Sequence, residues 1–280
     1  MSNISVISSK QPLLLIGCGK MGSAMLAGWL KKGLSKDAVY IVDPYLEPIK
    51  DNFSQLPSGN LFETFDLLPA TLTPSFVVMA VKPQMMGEAL ETIKTFDLSK
   101  TVILSVAAGK TIHYFEDHLS QDHAIVRAMP NTPAAIGKGI TVCVANSLVN
   151  DEQKAVCSTL LETVGNVEWI EDEGMMDAVT ALSGSGPAYV FYMAEAMAAA
   201  GEALGLPKEL SDKLAHQTVS GAGALLEESG ESPSKLRENV TSPGGTTAAA
   251  LDVLMSDQGI AKSIRRAMQE AKARSKELAG

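Results

Sequence analysis

The sequence predicts an α/β fold in which a parallel sheet covered by helices on both faces is followed by an all-helical C-terminal domain. Three observations carry this. Short apolar, β-branched runs alternate with helical patterns up to about Trp169, which is the order expected of a parallel sheet. A Gly-x-Gly-x-x-Gly segment, Gly17-Cys18-Gly19-Lys20-Met21-Gly22, sits between the first run and the first helical pattern, which makes the sheet Rossmann-type. Beyond Trp169, long stretches of Ala, Met, Leu and Glu replace the β-rich runs.

Taken in order, the polar, aperiodic residues 1–12 read as a flexible N-terminal arm. Strands are expected at Leu13–Gly17, Val39–Asp43, Phe76–Val81, Thr101–Ala107, Ile125–Ala128 and Ile140–Ala145, all apolar enough for burial on two faces. Helices are expected at Met21–Lys32, Glu88–Phe96, Ile112–Leu119 and Asp151–Val164. The dinucleotide-binding domain then covers 13–172, and a helical dimerisation and substrate domain covers 173–280. In the latter, Pro187 suits a helix start and Gly205 a stop for Ala188–Leu204. That helix carries only Glu195 and Glu202 as charges, so it wants apolar contact nearly all round. A domain of this size is too small to surround it, which predicts packing against a second subunit; a helix buried within its own chain is the competing reading.

Composition narrows the partners. With 23 Lys and Arg against 32 Asp and Glu, the formal charge is −9, which argues against nucleic acid and anionic membrane. The longest uncharged stretch, Ala178–Ala194, is interrupted by Ser183-Gly184-Ser185-Gly186-Pro187, a poor membrane span. Cys18, Cys143 and Cys157 form no CxxC pair, and His113, His118, His123 and His216 form no HExxH, so neither a disulfide framework nor a metal site is expected. A cytoplasmic protein with a small-molecule partner is the expectation.

The glycine segment supplies a phosphate cradle. Gly17 permits the tight turn, Gly19 lets a pyrophosphate approach the backbone, and Gly22 allows close packing of helix on strand, with Ile16, Lys20 and Met21 beside them. Asp43, about 20 residues beyond Gly22, stands where an acid accepts hydrogen bonds from the adenosine ribose. On electrostatic grounds this favours NAD over NADP. Arg127 is the sole arginine of the first 174 residues, leaving none near the second strand to hold a 2′-phosphate. Ala80-Val81-Lys82-Pro83 and Ala107-Ala108-Gly109 end the third and fourth strands, where small residues let the backbone lie along a dinucleotide. Met129-Pro130-Asn131-Thr132-Pro133 follows the fifth, a stiff loop offering Asn131 and Thr132 to a ligand; a purely structural turn is the alternative. Further on, Ser242-Pro243-Gly244-Gly245-Thr246-Thr247 opens another helix, where backbone N–H groups and the helix dipole converge on a carboxylate or phosphate, or merely form a cap and turn.

Ala80-Val81-Lys82-Pro83, Met129–Pro133, the run Ala181–Tyr189 and Thr241–Thr247, in that order, resemble Δ1-pyrroline-5-carboxylate reductases. The resemblance implies a Rossmann domain with a helical dimerisation domain, and reduction of a cyclic imine to L-proline with NADPH. It implies that Thr247 hydrogen-bonds the ring nitrogen and relays the proton, water being the alternative donor. For that chemistry, Ser242 and the backbone donors at Gly244, Gly245 and Thr246 are expected to hold the substrate carboxylate, and Asn131 and Thr132 to shape the nicotinamide end. Asp43 departs from NADPH-preferring members, which keeps NAD open. Two other readings compete: a dinucleotide-binding redox sensor without turnover, and a β-hydroxyacid dehydrogenase. The latter would require a lysine in the first long helix of the second domain, and Ala188–Leu204 has none.

Overall fold

A computed structural model describes residues 3–279, which divide into two compact units. One runs to Gly184 and takes in the chain from Ala273 onward; the other is Ser185–Lys272. In chain order the first unit contains β1 (Leu13–Ile16), α1 (Lys20–Lys31), β2 (Val39–Val42), α2 (Glu47–Asn52), β3 (Leu61–Phe62), β4 (Phe76–Met79), α3 (Met86–Ile93) and β5 (Val102–Ser105). It continues through α4 (Ile112–Leu119), β6 (Ala124–Met129), β7 (Gly139–Ala145), α5 (Asp151–Leu161), β8 (Gly165–Trp169) and α6 (Met176–Val179), ending in a π-helical turn at Thr180–Gly184. The second unit contains α7 (Gly186–Ala203), α8 (Lys208–Ser229), α9 (Pro233–Asn239), α10 (Thr246–Leu254) and the greater part of α11 (Ile260–Ala279).

The strands form one eight-stranded sheet in the order β3-β2-β1-β4-β5-β6-β7-β8. Chain order reverses beside β1, so the crevice at the carboxyl ends of β1 and β4 is the topological switch point at which such sheets bind ligands. Side-chain alternation divides the core into two layers. Leu13 and Leu15 face Met25, Leu26 and Trp29 of α1 and Val156, Cys157 and Leu160 of α5. Leu14 and Ile16 face Met86, Leu90 and Ile93 of α3 and Phe115 of α4 on the other side. Trp29 fixes the first layer further by donating its indole N–H to the Leu160 carbonyl at 2.8 Å, satisfying the one polar atom it buries. All three cysteines are buried, and burial pushes the Cys157 thiol up to about 12. Among the described residues, no helix is long and apolar enough to cross a membrane.

Three details differ from the sequence expectation. First, β6 and β7 pair antiparallel, so the sheet is mixed. The loop between them has only a 3₁₀ turn at Thr132–Ile136, whereas a parallel return needs a longer crossover. Second, β3 and β8 are additional strands at the two edges. Third, the described part of the N-terminal arm is not loose: Ile4 and Ile7 are buried in the α1/α5 layer, because two isoleucines gain more from that apolar surface than they lose in chain entropy.

The second unit has little core of its own. Among its described residues only Ala198, Ser211 and Ala215 are buried, with the Ser211 hydroxyl donating to the Ala198 carbonyl at 2.8 Å to join α8 to α7. Apolar side chains remain in the open on α7 and α10, Phe191 at 61%, Tyr192 at 70% and Val253 at 71% exposure. The expectation that α7 lacks sufficient cover within its own domain therefore holds for this unit.

Candidate active site

At the end of β1, Gly17 adopts φ +88, and a Cβ there would stand 2.9 Å from the Ala80 carbonyl. Neither that backbone sign nor that spacing admits an ordinary side chain. One helical turn on, a Cβ on Gly22 would fall 2.3 Å from the Gly17 carbonyl oxygen. Between them, Gly19 begins α1 with no atom within 4 Å of its Cβ position and no side chain capping the helix. The first-turn N–H groups and the positive end of the helix dipole thus face a space that a Cβ would invade, a fit for a pyrophosphate.

The Asp43 carboxylate ties this turn to β2. Its Oδ2 accepts the Cys18 N–H at 2.7 Å and its Oδ1 accepts the Tyr45 N–H at 2.8 Å. Each oxygen keeps a further lone pair for a ribose hydroxyl. The Cys18 thiol lies underneath, its pKa raised to about 11, chiefly by burial; the Ser23 hydroxyl opposes the shift and the Asp43 charge adds to it. Cys18 is therefore a neutral thiol at physiological pH and contributes through its main chain.

The remaining predicted cofactor residues line the same edge. The Ala80 N–H donates to the Ile16 carbonyl at 2.8 Å, holding half-buried Ala80 and Val81 beside the glycine turn, with Lys82 exposed and Pro83 opening a 3₁₀ turn. After β5, Ala107 is buried, Ala108 is exposed, and Gly109 adopts φ +74 with the Leu278 carbonyl 3.3 Å from its Cβ position. After β6, the Asn131 amide is already engaged: Nδ2–H donates to the Ser183 carbonyl at 3.2 Å and Oδ1 accepts the Ile140 N–H at 3.0 Å. Thr132 is exposed at the start of the 3₁₀ turn. The sheet thus gathers Ile16–Gly22, Asp43, Ala80–Pro83, Ala107–Gly109, Asn131 and Thr132 at the carboxyl ends of β1, β2, β4, β5 and β6.

In the second unit, Ser242–Thr247 forms the predicted turn. The Gly245 N–H donates to the Ser242 carbonyl at 3.0 Å, Gly244 adopts φ +69, and α10 starts after Gly245 with no side-chain cap. Ser242, Gly244 and Thr246 are exposed while Gly245 and Thr247 are half-buried, so the backbone donors and hydroxyls at this helix start are open to an anion.

One partly buried ion pair lies outside the sequence expectation. Arg127, in β6, donates from Nη1 to Glu173 Oε1 at 2.8 Å, and the same oxygen accepts the Ile112 N–H at 2.9 Å, which starts α4. The signal was present, since a single arginine within the apolar run Ala124–Met129 needs a carboxylate once buried.

Comparison with known proteins bears on this site. A family model described as pyrroline-5-carboxylate reductase dimerisation matches residues 173–278, and one described as NADP oxidoreductase, coenzyme F420-dependent, matches residues 13–109. The pyrroline-5-carboxylate reductase of Synechocystis sp. is 37% identical over 94% of this chain and 97% of its own. This chain belongs to the pyrroline-5-carboxylate reductase family. The solved reductase of Coxiella burnetii is 34% identical, with a TM-score of 0.87 over 97% of this chain and 99% of that one. The Plasmodium falciparum pyrroline carboxylate reductase, solved with NADP bound, is 30% identical with a TM-score of 0.80 over 97% and 99% of the two chains. In this reductase-family chain, Gly22→Ala must displace backbone and costs about 1–3 kcal/mol of stability by overpacking. Thermal denaturation reads that loss, and a nicotinamide fluorescence titration should show weakened NADH and NADPH binding in the same variant. Unchanged melting and binding would contradict the packing of Gly22 on the Gly17 carbonyl.

Proposed function

We propose that this chain reduces Δ1-pyrroline-5-carboxylate to L-proline with NADPH or NADH, the last step of proline biosynthesis. The observation that carries the reading is identity of 37% to a pyrroline-5-carboxylate reductase across nearly the full length of both chains. The glycine cradle and the uncapped start of α10 support it, because both ligands are anions and each has a helix start available to it.

In this reading the backbone of Ile16–Gly22, with Ala80–Pro83 and Ala107–Gly109, holds the dinucleotide, and Asp43 accepts hydrogen bonds from its adenosine ribose. When bound, the reduced nicotinamide supplies a hydride to the imine carbon. The chain's own contribution is orientation and proton handling. N–H groups at Gly244–Thr246, with the Ser242 hydroxyl, hold the substrate carboxylate. Thr247 donates a hydrogen bond to the ring nitrogen and relays the proton, water being the ultimate source because a hydroxyl is a weak acid. Thr132 borders the nicotinamide end. Asn131 acts there with its amide spanning Ser183 and Ile140.

The active form in this reading is a homodimer. Phe191, Tyr192 and Val253 are the kind of exposed apolar surface that marks an interface, and the model matched to residues 173–278 is named for dimerisation. Light scattering after size exclusion should give twice the chain mass; a monomer would overturn the dimer.

Steady-state assays at the nicotinamide absorbance band test the reaction. The wild type should consume NADPH or NADH only when pyrroline-5-carboxylate is present. Thr247→Ala should lower kcat/KM by tenfold or more, about 1.4 kcal/mol of transition-state stabilisation; a fall within twofold would remove the proton relay from Thr247. Asp43→Ser should shift kcat/KM from NADH toward NADPH, since it removes a negative charge facing the 2′ position. No gain for NADPH would overturn the ribose role of that carboxylate.

A further inference from the structure

Asp43 holds a second group besides the glycine turn. Through Oδ1 it fixes the main chain of Tyr45, and Pro44 stiffens the step between them. The ring so placed is 76% exposed, and no other Phe, Tyr or Trp among the described residues of the first unit is exposed. The remaining aromatics of this unit are buried or half-buried, and several have partners: Tyr40 is stacked on Phe62, and Tyr114 lies against Phe115 and His118. An aromatic ring left in water at the carboxyl end of β2, on a backbone tied by one carboxylate to the phosphate cradle, has no evident packing role. Its position follows the order of a dinucleotide along this edge. In the proposed binding mode the pyrophosphate lies at the start of α1 and the adenosine ribose at the acid after β2, and the purine, bonded to that ribose, comes next along the edge.

We infer that Tyr45 is the stacking platform for the adenine ring of the bound dinucleotide. The inference rests on the proposed use of NADPH or NADH and adds a binding residue to it. It is independent of which of the two is preferred, because both carry the same purine. A tyrosine face suits such stacking because it offers a flat, polarisable surface to any base and, with only two side-chain torsions, loses little conformational freedom. By sharing Asp43, the main chain of Tyr45 and the Cys18 N–H are set in one register, so the backbone that carries the platform is positioned with the cradle.

The experiment compares wild type, Tyr45→Ala and Tyr45→Phe by fluorescence titration with whichever of NADPH or NADH the wild type binds more tightly, and by inhibition constants for ADP-ribose, which keeps the adenosine half and lacks the nicotinamide. Tyr45→Ala should raise the dissociation constant and the ADP-ribose inhibition constant by tenfold or more, with the loss in turnover falling on KM for the dinucleotide. Tyr45→Phe, which keeps the ring, should stay within twofold of wild type. Values for Tyr45→Ala within twofold of wild type would overturn the inference, as would an equal loss in Tyr45→Phe. Failure of the underlying reading is separate: it would appear as no consumption of either dinucleotide by wild type with pyrroline-5-carboxylate.

Discussion

Where β1, α1 and β4 meet, three backbone segments approach too closely for any side chain between them, and the remainder of the first unit is arranged around that approach. Gly22 must pack on the Gly17 carbonyl for α1 to lie across β1, and Gly17 must face the Ala80 carbonyl for β4 to run beside β1. These contacts bring α1 close enough for Met25, Leu26 and Trp29 to reach the sheet, and the Trp29 indole then anchors α5 through the Leu160 carbonyl. The same approach leaves Gly19 facing open space with an uncapped helix start beside it. Packing and ligand capacity thus have one cause: the absence of Cβ atoms lets helix and strand close on each other and leaves the donors of the first turn unobstructed.

Electrostatics follows from where the donors are. A chain of formal charge −9 attracts anions poorly at long range, yet both ligands in the proposed reaction are anionic. Arginine does not resolve this, because the one arginine in the sheet, Arg127, is committed to Glu173 in a pair that also holds the start of α4, and the lysines at this edge, Lys20 and Lys82, are exposed to water that screens their charge. Main-chain N–H groups at the starts of α1 and α10 remain, and they suit small anions held at short range. Asp43 sharpens the point, since its negative charge stands beside the cradle and is itself satisfied by two main-chain donors.

Periodicity and spacing revealed much of the sheet but little of its direction. Runs such as Leu13–Ile16 and Phe76–Met79 are buried on both sides and announce themselves by unbroken apolar sequence. The edge strand β8 does not, because Gly165–Trp169 alternates half-buried with exposed residues and starts on a glycine. Direction at β7 was hidden for another reason: apolar content is the same either way, and only the lack of a crossover helix after Met129 distinguishes the antiparallel return. The glycine spacing located the cradle, since turn geometry is encoded in residue type. What Asp43 and Asn131 bond was not legible, because their partners are main-chain atoms of Cys18, Tyr45, Ser183 and Ile140, and every residue type offers much the same main chain.

The second unit poses a question of stability as well as of assembly. Hydrophobic burial must offset chain entropy within whatever folds as one body, and here the described residues bury only two alanines and a serine. Helix propensity does not make up the difference, since most helical stability in proteins comes from tertiary packing of an apolar face. On the proposed dimer the missing burial comes from a second copy, and folding of α7–α10 is then the same event as association. Stability of such a unit depends on chain concentration, because mass action favours the associated form. The first unit differs: it buries two core layers of its own, one on each face of the sheet. On that reading the chain divides its physics as it divides its sequence, with two packed core layers beneath the cradle and packing completed by a second copy in the unit that carries Ser242–Thr247.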